Sequence, residues 1–171
     1  MTKIKKILNN KERTNEWITP PEIVKSLGKF DLDPCASKVN KIVGLHAKEN
    51  NIMEETGKCG LTLEWKGKSV WLNPPYGNQL KLFAKKLSEH KNGILLCPAR
   101  TDSKWFHKYI FEKATLIFFL KGRIKFYGLE GYNKNACPFP ICLVTYNHKQ
   151  TLKVINSGIE GKALHLKKLN Y

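Results

Sequence analysis

Four consecutive residues, Asn73-Pro74-Pro75-Tyr76, combine two hydrogen-bond acceptors with an aromatic ring. The two prolines cannot donate to a sheet and they keep the backbone extended, so a preceding strand must end here. The side-chain oxygen of Asn73 and the main-chain carbonyl of Pro74 then form a stiff pair of acceptors. Such a pair suits an exocyclic amine, because it binds both hydrogens and leaves the nitrogen lone pair directed at an electrophile. Tyr76 is placed to stack on the ring that carries the amine.

Segments of strand and helix length alternate on both sides of this tetrapeptide. The patterns predict strands over residues 30–33, 41–45, 68–72, 94–97, 115–120 and 141–146, and helices over residues 19–27, 79–90 and 102–112. This alternation predicts βαβ units and therefore an α/β fold with a mostly parallel sheet. In such sheets, ligands bind beyond the carboxyl ends of the strands.

Three unusual clusters fall at that predicted edge: residues 33–35, residues 73–76 and residues 98–102. In the first cluster, the carboxylate of Asp33 can bind an ammonium or hydroxyl group of a ligand, or it can cap a turn. The helix over residues 19–27 has the capping-box spacing of Thr19 and Glu22, with Pro20 at its first position.

The charge of the chain points to a polyanionic partner. Thirty Lys and Arg residues stand against fourteen Asp and Glu residues, which gives a formal net charge of +16. Nucleic acid is the first candidate and an acidic membrane surface the second, and a basic but inert surface is the alternative. No run approaches the ~20 apolar residues that span a bilayer, so we expect no membrane partner.

The cysteines and histidines give no sign of a metal site. The five cysteines are scattered and include no Cys-x-x-Cys pair, and the five histidines show no metal-binding spacing. The sequence therefore predicts no metal and no disulfide framework. Free thiols fit a reducing cytoplasm.

Asn-Pro-Pro-Tyr after a strand resembles the catalytic motif of amino-methyltransferases, above all of DNA N6-adenine methyltransferases. Further segments match in the same order, and among them Trp17, Thr19 and Pro20 form a Trp-x-Thr-Pro segment. The matching segments are residues 16–22, 30–37, 96–106, 122–126 and 137–140. Together they make residues 15–147 similar to the phage-type DNA N6-adenine methyltransferase family.

The resemblance implies a Rossmann-like class I methyltransferase fold, with a mostly parallel central sheet, an antiparallel late strand and helices on both faces. It implies transfer of a methyl group from S-adenosyl-L-methionine to a flipped adenine in double-stranded DNA. The catalytic residues would be Asn73, Pro74, Pro75 and Tyr76. The cofactor-binding residues would be Trp17, Thr19, Pro20, Asp33, Pro34, Cys35 and Asn73.

Aromatic and basic residues complete the predicted site. Tyr76 would stack on one face of the base and Phe139 on the other, although an ordinary core phenylalanine is the alternative for Phe139. Four basic residues near the predicted edge are candidates for phosphate or guanine contacts, with a solvated surface charge as the alternative for each. They are Arg100, Lys104, Arg123 and Lys125.

The chain departs from the family pattern at two places. Cys35-Ala36-Ser37 stands where many methyltransferases carry Gly-x-Gly, and Cys59 stands where relatives usually carry an acid that contacts the adenine of the cofactor. Four residues are candidates for binding the ribose of the cofactor, and the sequence does not choose among them: Asn40, Glu49, Glu54 and Glu55.

We predict a basic arm over residues 1–14, a catalytic domain over residues 15–147 with a DNA-facing insertion at 121–140, and a basic extension over residues 148–171. The expected location is the cytoplasm of a bacterial host, with a phage or prophage as the source. Alternatives are a methyltransferase for another amine, in an RNA base, cytosine N4 or protein glutamine, and a basic DNA-binding module whose catalysis has decayed. The recognition sequence and the oligomeric state stay open.

Overall fold

The structure, a computed structural model, describes residues 18–38, 40, 44–128, 131–132 and 136–166. The predicted arm of residues 1–14, Trp17 and residues 41–43 of the second predicted strand lie outside the described residues. Within the described part, seven strands form one sheet: β1 (Leu32–Ala36), β2 (Glu49–Ile52), β3 (Val70–Leu72), β4 (Gly93–Pro98), β5 (Leu116–Leu120), β8 (Ile141–Thr145) and β9 (Gly161–His165). A small second sheet pairs β6 (Tyr127–Gly128) with β7 (Gly131–Tyr132).

The helices lie between these strands in the chain. They are α1 (Pro21–Ser26), α2 (Met53–Thr56), α3 (Leu80–His90), α4 (Lys104–Phe106) and α5 (His148–Ile155). A π-helical turn, His107–Phe111, continues α4, so the helix predicted over residues 102–112 is α-helical only at its start. No helix among the described residues is both long enough and apolar enough to cross a membrane.

The strand order β2-β1-β3-β4-β8-β5-β9 defines the edge where a ligand can bind. Strands β1 to β4 are parallel, and β8 runs antiparallel to both β4 and β5. Five of the seven strands of this sheet therefore share one direction, which confirms a mixed α/β fold with a mostly parallel sheet. The strand β8 is the expected antiparallel late strand, and β9, which we did not predict, is a second. The chain passes from β1 to β2 on one side and then to β3 on the other, so the carboxyl ends of β1 and β3 form a switch point.

Helices pack on both faces of the sheet because the central strands are apolar on both faces. In β3, the side chains of Val70 and Leu72 join a core that contains Phe83 of α3 and Ile110 of the π-helical turn. Trp71, between them, joins a second core with residues of α1 and α5. All three β3 residues are fully buried, so the tetrapeptide that follows starts from a strand held on both sides.

Three predicted features differ from the structure near this edge. The first residue of α1 is Pro21 and its N-cap is Pro20, without a side-chain capping bond, so the capping box of Thr19 is wrong. Asp33 is the second residue of β1 rather than its last. Gly44 and Leu45, the described end of the second predicted strand, lie outside any strand, and the strand on that side of β1 is the polar β2.

Asp31 joins the starts of β1 and β3. Its carboxylate accepts hydrogen bonds from the Ser69 main-chain nitrogen at 3.0 Å and from the Ser69 hydroxyl at 2.7 Å. Lys48 donates to the other carboxylate oxygen at 2.8 Å. The Lys48 ammonium and the Ser69 donors lower the pKa of Asp31 well below its usual range. This contact fixes the two strands whose opposite ends form the switch point.

We expect Asp31→Asn to lower the free energy of unfolding at pH 7 by about 1 kcal/mol, through loss of the charge-assisted bonds to Ser69. Because the folded pKa is lowered, this stability is present above the unfolded pKa and is lost as the pH falls. The stabilities of the two proteins in denaturant melts should therefore begin to converge as the pH falls below about 4 and should continue to converge at lower pH. Asp102→Asn, at an exposed position, is the control. A difference that stays constant from pH 7 to about pH 3 would contradict this role.

Candidate active site

A pocket opens at the carboxyl ends of β1 and β3. It encloses about 710 Å³, counting the part that is open to solvent. Several segments of the chain line it, among them Thr19 before α1, residues 33–37 in and after β1, Met53 and Glu54 after β2, and residues 73–75 after β3. The pocket therefore lies at the switch point, where an open α/β sheet binds its ligands.

The side chain of Asn73 is fixed by a contact from a distant segment. Its amide nitrogen Nδ2 donates to the hydroxyl oxygen of Thr19 at 3.0 Å. Thr19 is fully buried and Asn73 is half-buried, so this contact is partly shielded from water. Because Nδ2 is directed at Thr19, the amide oxygen Oδ1 is directed to the opposite side of Cγ.

Asp33 places a buried carboxylate in the wall of the pocket. Its side chain accepts a hydrogen bond from the Cys35 main-chain nitrogen at 3.0 Å, and Oδ2 lies 3.4 Å from His46 Nδ1. Burial, and secondly the Asp33 charge, raise the pKa of the Cys35 thiol well above its usual range. Cys35 is therefore a neutral thiol at neutral pH and a poor nucleophile.

The loop after α2 approaches β1 closely at a glycine. A Cβ atom on Gly60 would lie 2.2 Å from the main-chain oxygen of Pro34, a distance that only glycine allows. Trp65 Nε1 donates to the Gly60 carbonyl at 3.2 Å. Lys86 donates to the Leu61 carbonyl at 2.7 Å, and its ammonium lies 4.6 Å above the Trp65 ring. These contacts hold the loop against the pocket.

Only two of the four candidate ribose-binding residues line the pocket. Glu54 and Asn40 line the pocket, whereas Glu49 forms an ion pair with Lys68 and does not line it. Glu55 also lies outside the pocket lining. Cys59 lines the pocket at the position where the family pattern has an acid, so Glu54 is the acid that the wall after β2 contributes.

Neither of the two predicted stacking residues lines the pocket. The ring of Tyr76 packs edge-on against Phe126, with ring centroids 6.2 Å apart, and burial raises the pKa of its hydroxyl. Phe139 is half-buried, and the guanidinium of Arg100 lies 4.6 Å above its ring. Both rings pack against the apolar layer that contains Trp71. Tyr76 directly follows Pro75, so its ring and the pocket are adjoining parts of one sheet edge.

The four predicted DNA-binding residues come to the same edge. Arg100 and Lys104 follow β4, and Arg123 and Lys125 follow β5, a strand that runs parallel to β4. All four side chains are exposed. Arg123 Nη1 donates to the main-chain oxygen of Cys137 at 3.5 Å.

Most, but not all, of the predicted cofactor-binding residues line the pocket. Pro20 does not line the pocket, and Trp17 lies outside the described residues. The pocket is lined by the other five, which are Thr19, Asp33, Pro34, Cys35 and Asn73. Within the described ranges, no group of three or more His, Cys, Asp or Glu side chains is arranged to hold a metal ion.

Sequence reasoning missed His46, which also lines the pocket. Its Nε2 lies 3.1 Å from the Thr19 carbonyl oxygen, and its Nδ1 lies 3.2 Å from Asn40 Nδ2. Thr19 is 27 positions away in the chain. His46 stands in a polar segment without periodicity, so no local signal distinguishes it from the other histidines.

Fold and site together define a mixed α/β protein with a ligand pocket at the switch point of its sheet. The chain belongs to the DNA N-6-adenine-methyltransferase (Dam) family, whose model matches residues 6–162.

Two similar phage proteins are both called DNA N-6-adenine-methyltransferase. The protein of Haemophilus phage HP1 is 30% identical over 107 residues, which cover 60% of this chain and 57% of that protein. The protein of Escherichia phage T1 is 38% identical over 101 residues, which cover 53% of this chain and 38% of that protein. The chain thus spans about half the length of these relatives. No solved structure matches it.

We expect Gly60→Ala to weaken binding of S-adenosyl-L-methionine, the cofactor that the sequence predicts, about tenfold or more, because the new Cβ must displace the Pro34 main chain from the pocket wall. Calorimetric titration measures the affinity. The matched control is Gly28→Ala, whose Cβ meets no atom within 4 Å but whose φ of +86° strains an alanine. The control should lose about 1 kcal/mol of stability and keep its affinity. Equal affinities in both variants would contradict the role of this close approach.

Proposed function

We propose that the chain transfers a methyl group from S-adenosyl-L-methionine to the N6 amine of an adenine flipped out of double-stranded DNA. The observation that carries the proposal is the Asn-Pro-Pro-Tyr turn at the end of β3, where Thr19 fixes the Asn73 amide at the pocket wall. Membership of the DNA N-6-adenine-methyltransferase (Dam) family supports it.

We also infer a Rossmann-like class I methyltransferase fold. Four features support this assignment: the parallel run β2-β1-β3-β4, the switch point between β1 and β3, the antiparallel β8 between β4 and β5, and helices on both faces. In such a fold, the cofactor lies over the carboxyl end of β1 and the target amine over the carboxyl end of β3.

The residues of the pocket fit S-adenosyl-L-methionine. The acids Asp33 and Glu54 suit an ammonium group and ribose hydroxyls, and Met53 offers an apolar surface to a purine ring. Trp71 Nε1 is a buried donor at the pocket that has no hydrogen-bond partner among the described residues. We assign Asp33 to the amino-acid end of the cofactor and Glu54 to the ribose.

Asn73 and Pro74 prepare the target amine for transfer. When bound, S-adenosyl-L-methionine supplies an electrophilic methyl group on a sulfonium. Asn73 Oδ1 and the Pro74 carbonyl would accept the two amine hydrogens and so direct the nitrogen lone pair toward the methyl group. The cofactor, held by Asp33 and Glu54, would supply the methyl group and leave as a neutral thioether, and the methylated amine would release one proton. The contribution of these residues is alignment, and no side-chain nucleophile is required.

The charged edge would bind the DNA around the flipped base. The net charge of +16 favours phosphate contacts, and Arg100, Lys104, Arg123 and Lys125 place four exposed cations after β4 and β5, at the same edge of the sheet as the pocket. Tyr76 and Phe139 would enclose the base. The guanidinium of Arg100 covers one face of the Phe139 ring, so a base that stacks on this face must displace it.

Incubation of the chain with phage DNA and labelled S-adenosyl-L-methionine, followed by nucleoside analysis, tests the proposal. We expect N6-methyladenine from the wild-type chain. Asn73→Ala should lower the transfer rate about 100-fold or more while the fold is retained, because one of the two acceptors is lost. Asn78→Ala is the matched control, since Asn78 is exposed and lies outside the pocket lining.

Other products would overturn the proposal in distinct ways. N4-methylcytosine alone, or label in RNA or protein instead of DNA, would change the target amine. Wild-type turnover by Asn73→Ala would remove the tetrapeptide from the mechanism. If saturating S-adenosyl-L-methionine fails to raise the melting temperature of the wild-type chain, a decayed DNA-binding module becomes the better reading, because a native-state ligand must stabilise the fold.

A further inference from the structure

His46 is the buried histidine of this chain. It is 8% exposed, and the other four histidines, all within the described residues, are half-buried or exposed. It lines the pocket with Asp33, yet the transfer step described above uses no imidazole. A polar ring buried at an active edge needs partners for both of its nitrogens.

The partners of His46 define the direction of its contact with Thr19. Nε2 lies 3.1 Å from the Thr19 main-chain oxygen, which can only accept, so Nε2 carries a hydrogen and donates it. The Oδ1 of Asn40 accepts from the Ser37 main-chain nitrogen at 2.7 Å, so the Nδ2 of Asn40 is the group that faces His46 Nδ1 at 3.2 Å.

Both ring nitrogens of His46 face neighbouring groups of the pocket wall. The Thr19 carbonyl oxygen accepts from Nε2, and Nδ1 faces the Asn40 amide at 3.2 Å and the Asp33 carboxylate at 3.4 Å. The contacts of the ring are therefore with the pocket wall and not with a ligand.

The same contacts connect His46 to the tetrapeptide. Thr19 receives the His46 Nε2–H on its carbonyl oxygen and the Asn73 Nδ2–H on its hydroxyl oxygen. A shift of the Thr19 main chain would therefore turn the Asn73 amide. We propose that His46 is a positioning residue for methyl transfer, which holds the Thr19 main chain so that its hydroxyl orients Asn73. This inference rests on the proposed function.

The test compares His46→Gln with His46→Asn. The amide nitrogen of glutamine reaches the position of Nε2, whereas that of asparagine reaches only the position of Nδ1. Single-turnover methyl transfer is measured at saturating DNA and S-adenosyl-L-methionine, and the cofactor Kd is measured separately. We expect His46→Gln to stay within about threefold of the wild-type rate and His46→Asn to fall about tenfold or more. The two cofactor Kd values should agree within about threefold.

His90→Gln and His90→Asn form the control pair. His90 Nε2 makes the same kind of contact, 2.8 Å from the Lys68 carbonyl oxygen, at the opposite edge of the sheet. Both control variants should transfer at the wild-type rate.

Equal rates in the two His46 variants, or a faster asparagine variant, would overturn the inference. If His46→Asn does not fold by thermal melting, the glutamine variant decides: a rate within about threefold of wild type supports the inference, and a slower one overturns it. A wild-type chain that transfers no methyl group would instead mark failure of the proposed function.

Discussion

One hydrogen bond, from Asn73 Nδ2 to the Thr19 hydroxyl, determines how the tetrapeptide faces its pocket. The two residues are 54 positions apart, and the contact joins the segment before α1 to the end of β3. A carboxamide can rotate about its last torsion with little resistance, so a single buried partner decides which side presents nitrogen and which presents oxygen. The two prolines stiffen the backbone, and Thr19 orients the side chain.

The segment of Ile18 and Thr19 contacts three parts of the fold that a methyl transfer must bring together. The Ile18 carbonyl accepts from the Tyr127 main-chain nitrogen at 2.9 Å, which attaches the region expected to face DNA. The Thr19 carbonyl accepts from His46, and the Thr19 hydroxyl accepts from Asn73. Because all these contacts are short and directional, the proposed cofactor wall, the proposed target-amine acceptors and the segment proposed to face DNA are all fixed to Ile18 and Thr19.

The sheet supplies the rest of the geometry. The fully buried β3 fixes the start of the tetrapeptide that follows it. Gly60 lets the loop after α2 approach the Pro34 main chain. The result is a pocket whose walls come from several separate segments. Small displacements in any one of them would change the alignment on which this kind of chemistry depends.

The sequence was most informative where structure is determined locally. The stripe of Leu80, Phe83 and Leu87 identified α3, and the apolar run before Pro98 identified β4, because burial leaves a period in the sequence. The tetrapeptide was found because adjacent residues carry its chemistry.

Features with distant partners left no such signal. The contacts of His46 are with Thr19 and Asn40, which are distant from it or lie in a segment without periodicity. Thr19 was interpreted as a helix cap, although its hydroxyl accepts a hydrogen bond from Asn73. The edge strands β2 and β9 were missed because polar or exposed residues dominate them and neither shows a buried alternation.

The most direct measurement of the central claim is single-turnover methyl transfer by Thr19→Val and Thr19→Ser. Valine keeps the shape of threonine and removes the hydroxyl acceptor, whereas serine keeps the hydroxyl. With cofactor affinity measured alongside, the account predicts that Thr19→Val transfers about tenfold or more slowly than Thr19→Ser, and that serine stays within about threefold of the wild-type rate. If the valine variant transfers as fast as the serine variant, the orientation of Asn73 does not depend on Thr19, and the account is contradicted.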